Sequence, residues 1–357
     1  MKQIYLSTTI LFLAFINLNA QTPTTVITLN PYSVFDFAVN GNDLYYSDYD
    51  LGGIYKIDVT TTSPTPTLVA SGLSAPYGLY LDGNDLYFAE NTDNKIFKLD
   101  ITSNLPITPT NFITGLAQGP MDIVVNGNDL YYLTENNSTN GKLFKTDKTN
   151  PVSSTELVSG LGVPFGLQIS GNFIYYSEII GNRSIYKLDI TQSGVTPVTV
   201  SSNINQPAYF VINGNDMYIP VRSDNKIVKL DITSTLPTTT TDLVTTGQFP
   251  STVAIIGGEM FIGEYSEGRI TKVSLATLSN DEFSLSQDMK LYPNPSNSFI
   301  QISGLMKTEN YRISNSLGQE VKEGIVFKDE KIDITNLNNG PYLLKLENGS
   351  TLKFVKE

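Results

Sequence analysis

Residues 75–90 read Ala75-Pro76-Tyr77-Gly78-Leu79-Tyr80-Leu81-Asp82-Gly83-Asn84-Asp85-Leu86-Tyr87-Phe88-Ala89-Glu90: an apolar run, a polar turn and a second apolar run. Diverged copies recur along the chain. The turn glycine, followed by Asn or Gly and then by an apolar-aromatic run, stands at Gly41, Gly83, Gly127, Gly171, Gly214 and Gly257. The spacings are 42, 44, 44, 43 and 43 residues. A constant period of about 40–50 residues with several short strands in each copy specifies a β-propeller, and six copies specify six blades.

Within the second copy the expected strands are 77–81, 86–89, 95–101 and 111–114. They are separated by Asp82-Gly83-Asn84-Asp85, by Asn91-Thr92-Asp93-Asn94 and by a longer connection containing Pro106. Asn, Asp and Gly accept turn conformations, and Pro cannot continue a ladder. The second strands, such as Leu44-Tyr45-Tyr46 and Leu130-Tyr131-Tyr132-Leu133, are apolar without alternation. That pattern fits a sheet covered on both faces by neighbouring blades. The last repeat supplies three strands, whereas Thr25-Val26-Ile27-Thr28-Leu29 precedes the first inner strand as a spare. This N-terminal strand is expected to complete the last blade and so remove both free edges of the ring.

The chain opens with Lys2 and the apolar run 10–16, followed by Leu18-Asn19-Ala20. The run is too short to span a bilayer and ends at a small residue, so residues 1–20 read as a signal peptide. No later stretch is long and apolar enough to cross a membrane. Loss of Lys2 with the leader would take the formal charge from −12 to −13. This acidity argues against nucleic acid and anionic membrane surfaces as partners. The 357 residues contain no Cys and no His. Thiolate sites, disulfides and histidine-based triads are therefore excluded.

Pro76-Tyr77-Gly78-Leu79, the run 84–90 and Lys95-Ile96-Phe97-Lys98-Leu99 resemble the NHL and YWTD classes of six-bladed propellers, over residues 22–277. The resemblance implies the fold and leaves function open, because such propellers include lactonases, lyases, receptors and binding modules. Seven residues after each turn glycine stand Asp48, Glu90, Thr134, Glu178, Val221 and Glu264. With Asp122, the four carboxylates could form a Ca²⁺ site of oxygen ligands. Alternatively each is a structural acceptor for backbone N–H groups of adjoining loops, as the acid at this place in NHL and YWTD repeats implies. On that reading, replacing Glu90, Glu178 or Glu264 by Gln should cost similar stability at each site.

Gluconolactonase-like members place metal-binding Glu, Asn and Asp at the starts of first strands. Here the residues after the entry prolines are Tyr32, Tyr77, Met121, Phe165, Ala208 and Ser251, and Asp122 alone follows as a carboxylate. The metal set does not carry over, so the expected cofactor is none, with Ca²⁺ as the alternative. An aromatic rim of Tyr32, Tyr77, Phe165 and Tyr209 remains. It could plug the channel, or it could stack on a glycan or contact a peptide. The leading reading is a binding or scaffold module, and the alternative is a metal-dependent lactonase or esterase.

After a linker at 278–287 the repeat gives way to a different module. Its landmarks are Tyr292-Pro293-Asn294-Pro295, Leu317-Gly318-Gln319, the run 332–337, Gly340-Pro341-Tyr342 and Lys353-Phe354-Val355-Lys356. Residues 288–357 closely resemble the type A sorting domain of the type IX secretion system of Bacteroidota. Alternating strands and Gly- and Asn-rich turns predict a small Ig-like β-sandwich. The resemblance implies export to the periplasm, outer-membrane transit through the type IX machinery, and a secreted or cell-surface product.

Overall fold

The computed structural model describes residues 22–29, 33–136, 140–194, 196–278, 290–303, 308–315, 319–327, 330–346 and 351–357. The expected signal peptide, nearly all of the linker, Tyr32 and Gly318 lie outside them. The chain divides into two compact units, residues 1–278 and 279–357.

In the first unit each repeat becomes one antiparallel four-stranded sheet, six among the described residues. The second sheet is typical, with strands Pro76–Asp82, Asp85–Glu90, Lys95–Asp100 and Thr110–Ile113. Pairing of Asp82 with Asp85 leaves Gly83 and Asn84 as a two-residue turn. Gly83 has φ +61°, a conformation that glycine alone adopts without strain. The glycine recurs at this place in each copy because the turn requires it. The third strands are followed by a second repeated device. Asp58, Asp100, Asp147, Asp189 and Asp231 each accept from the amide and hydroxyl of a Thr two residues on. These bonds hold the exposed carboxyls below their usual range.

The ring closes as the spare strand predicted. Thr24–Thr28 pairs with Arg269–Ser274 at the outer edge of the sheet that carries the last three strands. Inner strand Val34–Asn40 then contacts both Pro76–Asp82 and Pro250–Ile256, so the first and last sheets are neighbours. Side chains between sheets form successive buried clusters. Tyr46, Phe88, Tyr132, Tyr176 and Phe261 are almost wholly enclosed, which accounts for the unbroken apolar runs of the second strands.

The second unit is a two-layer sandwich. A sheet of Lys290–Tyr292, Phe299–Ser303 and Lys331–Asp333 faces one of Glu320–Val326, Glu309–Asn315, Gly340–Leu346 and Thr351–Lys356. Ile300, Ile302 and Ile332 from the first meet Ile313, Leu344 and Phe354 from the second in one core. The alternation of Gly340–Leu346 places Tyr342, Leu344 and Leu346 inward and leaves Leu343 out. In the entry segment, Asn294 donates to the Lys353 carbonyl at 3.0 Å and accepts from the Val355 amide at 3.0 Å.

Candidate functional site: the hub of the ring

Four inner strands share an irregularity in pairing at residues 35–36, 77–78, 121–122 and 165–166. These positions lie six and five residues before the turn glycine. The first of the two supplies Phe35, Met121, Phe165 and Ala208 to a single buried cluster, with Tyr77 packed against it. Phe35 is its centre. The Phe35 ring lies 4.3 Å from that of Tyr77, 5.6 Å from Phe165, 5.7 Å from Tyr49 and from Tyr265, and 5.8 Å from Tyr209.

Phe35 thus occupies the place that the entry-proline rule assigned to Tyr32. Counting back six residues from Gly41, rather than forward from Pro31, would have found it. Phe165 and Tyr209 are buried, whereas Tyr77, Tyr49 and Tyr265 are partly exposed. Burial and neighbouring negative groups push the Tyr77 phenol up to about 12. Tyr209 donates its hydroxyl to the Met121 carbonyl at 3.0 Å.

The second position of each pair ties the ring together. Asp36 accepts from the Leu79 amide of the next sheet at 2.8 Å and from the Thr252 hydroxyl of the last sheet at 2.9 Å. Asp122 accepts from the Leu167 amide at 2.6 Å and the Ile123 amide at 2.8 Å. Gly78, between them in the ring, has no side chain because a Cβ there would lie 2.3 Å from Oδ1 of Asp122. Burial pushes the Asp36 carboxyl up to about 7, and Asp122 is raised well above its usual value by burial and by Asp36. Two buried acids that repel one another hold protons that exposed acids would release.

The predicted acids lie apart from this pair, each on its own sheet. Glu90 accepts from the amides of Ser74 (2.6 Å) and Ala75. Asp48 accepts from the Leu51 amide at 2.9 Å, and Glu178 from the Gly162 amide. Glu264 accepts from the Gly247 amide at 3.1 Å and the Thr271 hydroxyl at 3.0 Å, and pairs with Arg269. Among the described residues no three carboxylates are grouped so as to hold a metal ion.

Their environments differ, so equal costs are no longer expected. Burial raises Asp48, Glu90 and Glu178 despite their hydrogen bonds, which means that ionisation there is already opposed. Glu90→Gln should change stability by less than about 1 kcal/mol. Glu264→Gln removes half of an ion pair and should cost about 1.5–3 kcal/mol. Urea denaturation of both variants checks this ordering, and equal losses would refute it.

Eight residues after the turn glycines stand Tyr49, Asn91, Glu135, Ile179, Arg222 and Tyr265. Arg222 is 8% exposed. Its guanidinium lies 4.3 Å from the Phe249 ring centre, 4.9 Å from Phe165, and 5.9 Å from both Phe35 and Tyr265. Nε has no hydrogen-bond partner. Burial lowers the group to about 10, and the residues acting against that shift are Tyr209, Tyr265 and Tyr77. The sequence reading passed over Arg222 because it stands one residue beyond the acid-rich position, where five of six copies carry no cation.

Closed rings of four-stranded sheets around a common hub define the β-propeller class, to which the first unit belongs. The comparisons agree for both units. Residues 290–357 match the family described as the secretion system C-terminal sorting domain. No curated protein sequence matches the chain.

Among solved structures, a gluconolactonase from Xanthomonas campestris is similar with a TM-score of 0.56 and 12% identity, over 72% of this chain and 95% of that one. A virginiamycin B lyase from Staphylococcus aureus gives 0.51 and 16%, over 70% and 98%. The calcium-binding protein regucalcin from Agrobacterium tumefaciens gives 0.55 and 10%, over 71% and 93%. At these identities the likeness is one of fold.

Proposed function

We propose that this chain is an exported binding protein: residues 21–277 form the binding propeller and residues 288–357 the address that delivers it. The observation that carries the binding reading is the mouth of the hub. Partly exposed Tyr49, Tyr77 and Tyr265 pack against buried Phe35, Phe165 and Tyr209. Tyrosines with apolar faces and polar tips suit the stacking and hydrogen bonding that a glycan or a peptide offers. The lining contains no histidine or cysteine, and the acids at the ends of the second strands are engaged by backbone amides. A glycan and peptide array probed with the full-length secreted protein and with Tyr77→Ala tests the reading. Retained ligands lost in the variant support it, and binding unaffected by Tyr77→Ala would move the site elsewhere.

The alternative, a Ca²⁺-dependent lactonase or esterase, draws on the fold shared with a gluconolactonase and a calcium-binding protein. Lactone hydrolysis that is lost on chelation would favour it.

The address reading rests on the match of residues 290–357 to a sorting domain. Residues 1–20 would first take the chain to the periplasm, and the type IX machinery would recognise the tail and pass the protein to the surface or the medium. A foreign protein carrying a signal peptide at one end and residues 288–357 at the other is expected outside a type IX-competent cell. Accumulation of that fusion in the periplasm would refute the assignment.

A further inference from the structure

A guanidinium that is 8% exposed in an aromatic box, with one N–H lacking an acceptor, is an unusual use of a charge. Desolvating an ion costs several kcal/mol unless an opposite charge or hydrogen bonds compensate, and rings supply part of that through their negative faces. The groups placed around the Arg222 guanidinium are the rings of Phe249, Phe165, Phe35 and Tyr265, and its Nε has no acceptor. By contrast Arg269 is held by both Glu264 and Glu267. Arg222 therefore stands at the mouth with its electrostatic demand unmet by the protein.

Resting on the binding reading above, we infer that Arg222 is the receptor for a single carboxylate on a sugar ligand, a uronic acid unit, whose ring stacks on the mouth tyrosines. A planar guanidinium matches a carboxylate in two parallel hydrogen bonds, which fixes the sugar's orientation as well as its charge. Partly exposed Tyr265 lies 5.9 Å from the guanidinium, and partly exposed Tyr77 packs on Phe35, whose ring is also 5.9 Å from it. They supply faces for the C–H surface of a pyranose. The formal charge of −12 opposes a polyanion, so one acidic sugar flanked by neutral ones fits better than a run of acids.

The test titrates the full-length secreted protein with methyl glucuronide and methyl galacturonide, their neutral glucoside and galactoside counterparts, and an N-acetylated dipeptide acid, by ligand-observed NMR. At least one uronide should bind at least about tenfold more tightly than its neutral counterpart, the preference shrinking with salt. Arg222→Lys, which keeps the charge but loses the fork, should lose most of that preference. Unchanged circular dichroism and melting would show that this variant is folded. The wild-type ratio of acid to neutral sugar stands as evidence even if the variant fails to fold.

Equal binding of acidic and neutral sugars, abolished by Tyr77→Ala, would overturn the carboxylate inference and leave the binding reading intact. Binding of the dipeptide acid alone would overturn the sugar assignment. Uronide binding unchanged in a folded Arg222→Lys would place the receptor on another residue. If no probe binds and the array is also silent, both the inference and the binding reading fail.

Discussion

Deleting residues 22–29 is expected to leave a protein that aggregates, or that melts at least about 10 °C below the intact one. The strand Thr24–Thr28 forms the outer edge of the last sheet, and its loss bares the backbone of Arg269–Ser274 to any passing strand. The same deletion removes Leu29, 4% exposed in a cluster with Phe261 and Ile270, whose amide also donates to the Gly268 carbonyl at 2.6 Å. Truncating a buried leucine alone costs about 2–5 kcal/mol, and a domain of this size loses about 2–4 °C per kcal/mol. Leu29→Ala should therefore show an intermediate loss. Differential scanning fluorimetry with light scattering measures both, and a truncated protein that melts like the intact one would mean that the ring does not depend on this closure.

The second large effect is in pH. Asp36 ionises in the folded ring at about 7 and burial and Asp36 raise Asp122 well above its usual value, whereas an unfolded aspartate ionises near 3.8. Between these values the folded protein binds more protons than the unfolded one, so stability falls as pH rises through the window. The contribution is complete below about pH 3.8 and is lost as pH rises through about 7 for Asp36, with Asp122 acting in the same direction.

The exposed Asp58, Asp100, Asp147, Asp189 and Asp231 act in the opposite sense, because their carboxyls are held low. Their stabilisation is present above the unfolded value and is lost only below it. The expected profile has a maximum near pH 4, with the melting temperature declining by several degrees toward pH 7. Asp36→Asn should flatten that alkaline limb. A wild-type profile that is level from pH 5 to 8 would contradict the placement of the buried pair.

The fold was legible because the repeat is written by constraints that act residue by residue. A glycine is needed at each two-residue turn, and a strand enclosed on both faces needs apolar residues throughout, as in Leu86-Tyr87-Phe88. The closing strand was legible too, since a four-stranded repeat that lacks its last strand leaves an edge which the N-terminal segment can fill. The hub was less so. Its residues sit at fixed offsets from the turn glycine but differ in kind from copy to copy, as in Asp36, Gly78, Asp122, Gly166, Tyr209 and Thr252. No single motif marks them.

The entry prolines misled in the first copy, because Val34 stands where Pro76 and Pro164 stand in later ones, and this displaced the reading from Phe35 to Tyr32. Repeated Asp-x-Thr turns and the ion pairs Lys56–Asp43, Lys98–Asp85 and Lys229–Asp216 were also present in the sequence at fixed spacing. Only the strand register sets each Lys diagonally across from its Asp. Arg222 could be recognised only when the rings around it were placed in space, since Phe35, Phe165, Phe249 and Tyr265 come from separate parts of the chain.

The claim that this propeller binds rather than hydrolyses depends on what Asp48, Glu90, Glu178 and Glu264 do. Melting curves of the full-length protein in chelator and in rising Ca²⁺ test it most directly. An ion bound only by the folded state raises the melting temperature steadily with its concentration, by about 2.7 kcal/mol of stability at a hundredfold excess over its dissociation constant. Acids already engaged by backbone amides predict superimposable curves. A shift of many degrees with Ca²⁺, reversed by chelator, would contradict that reading and favour the metal-dependent hydrolase.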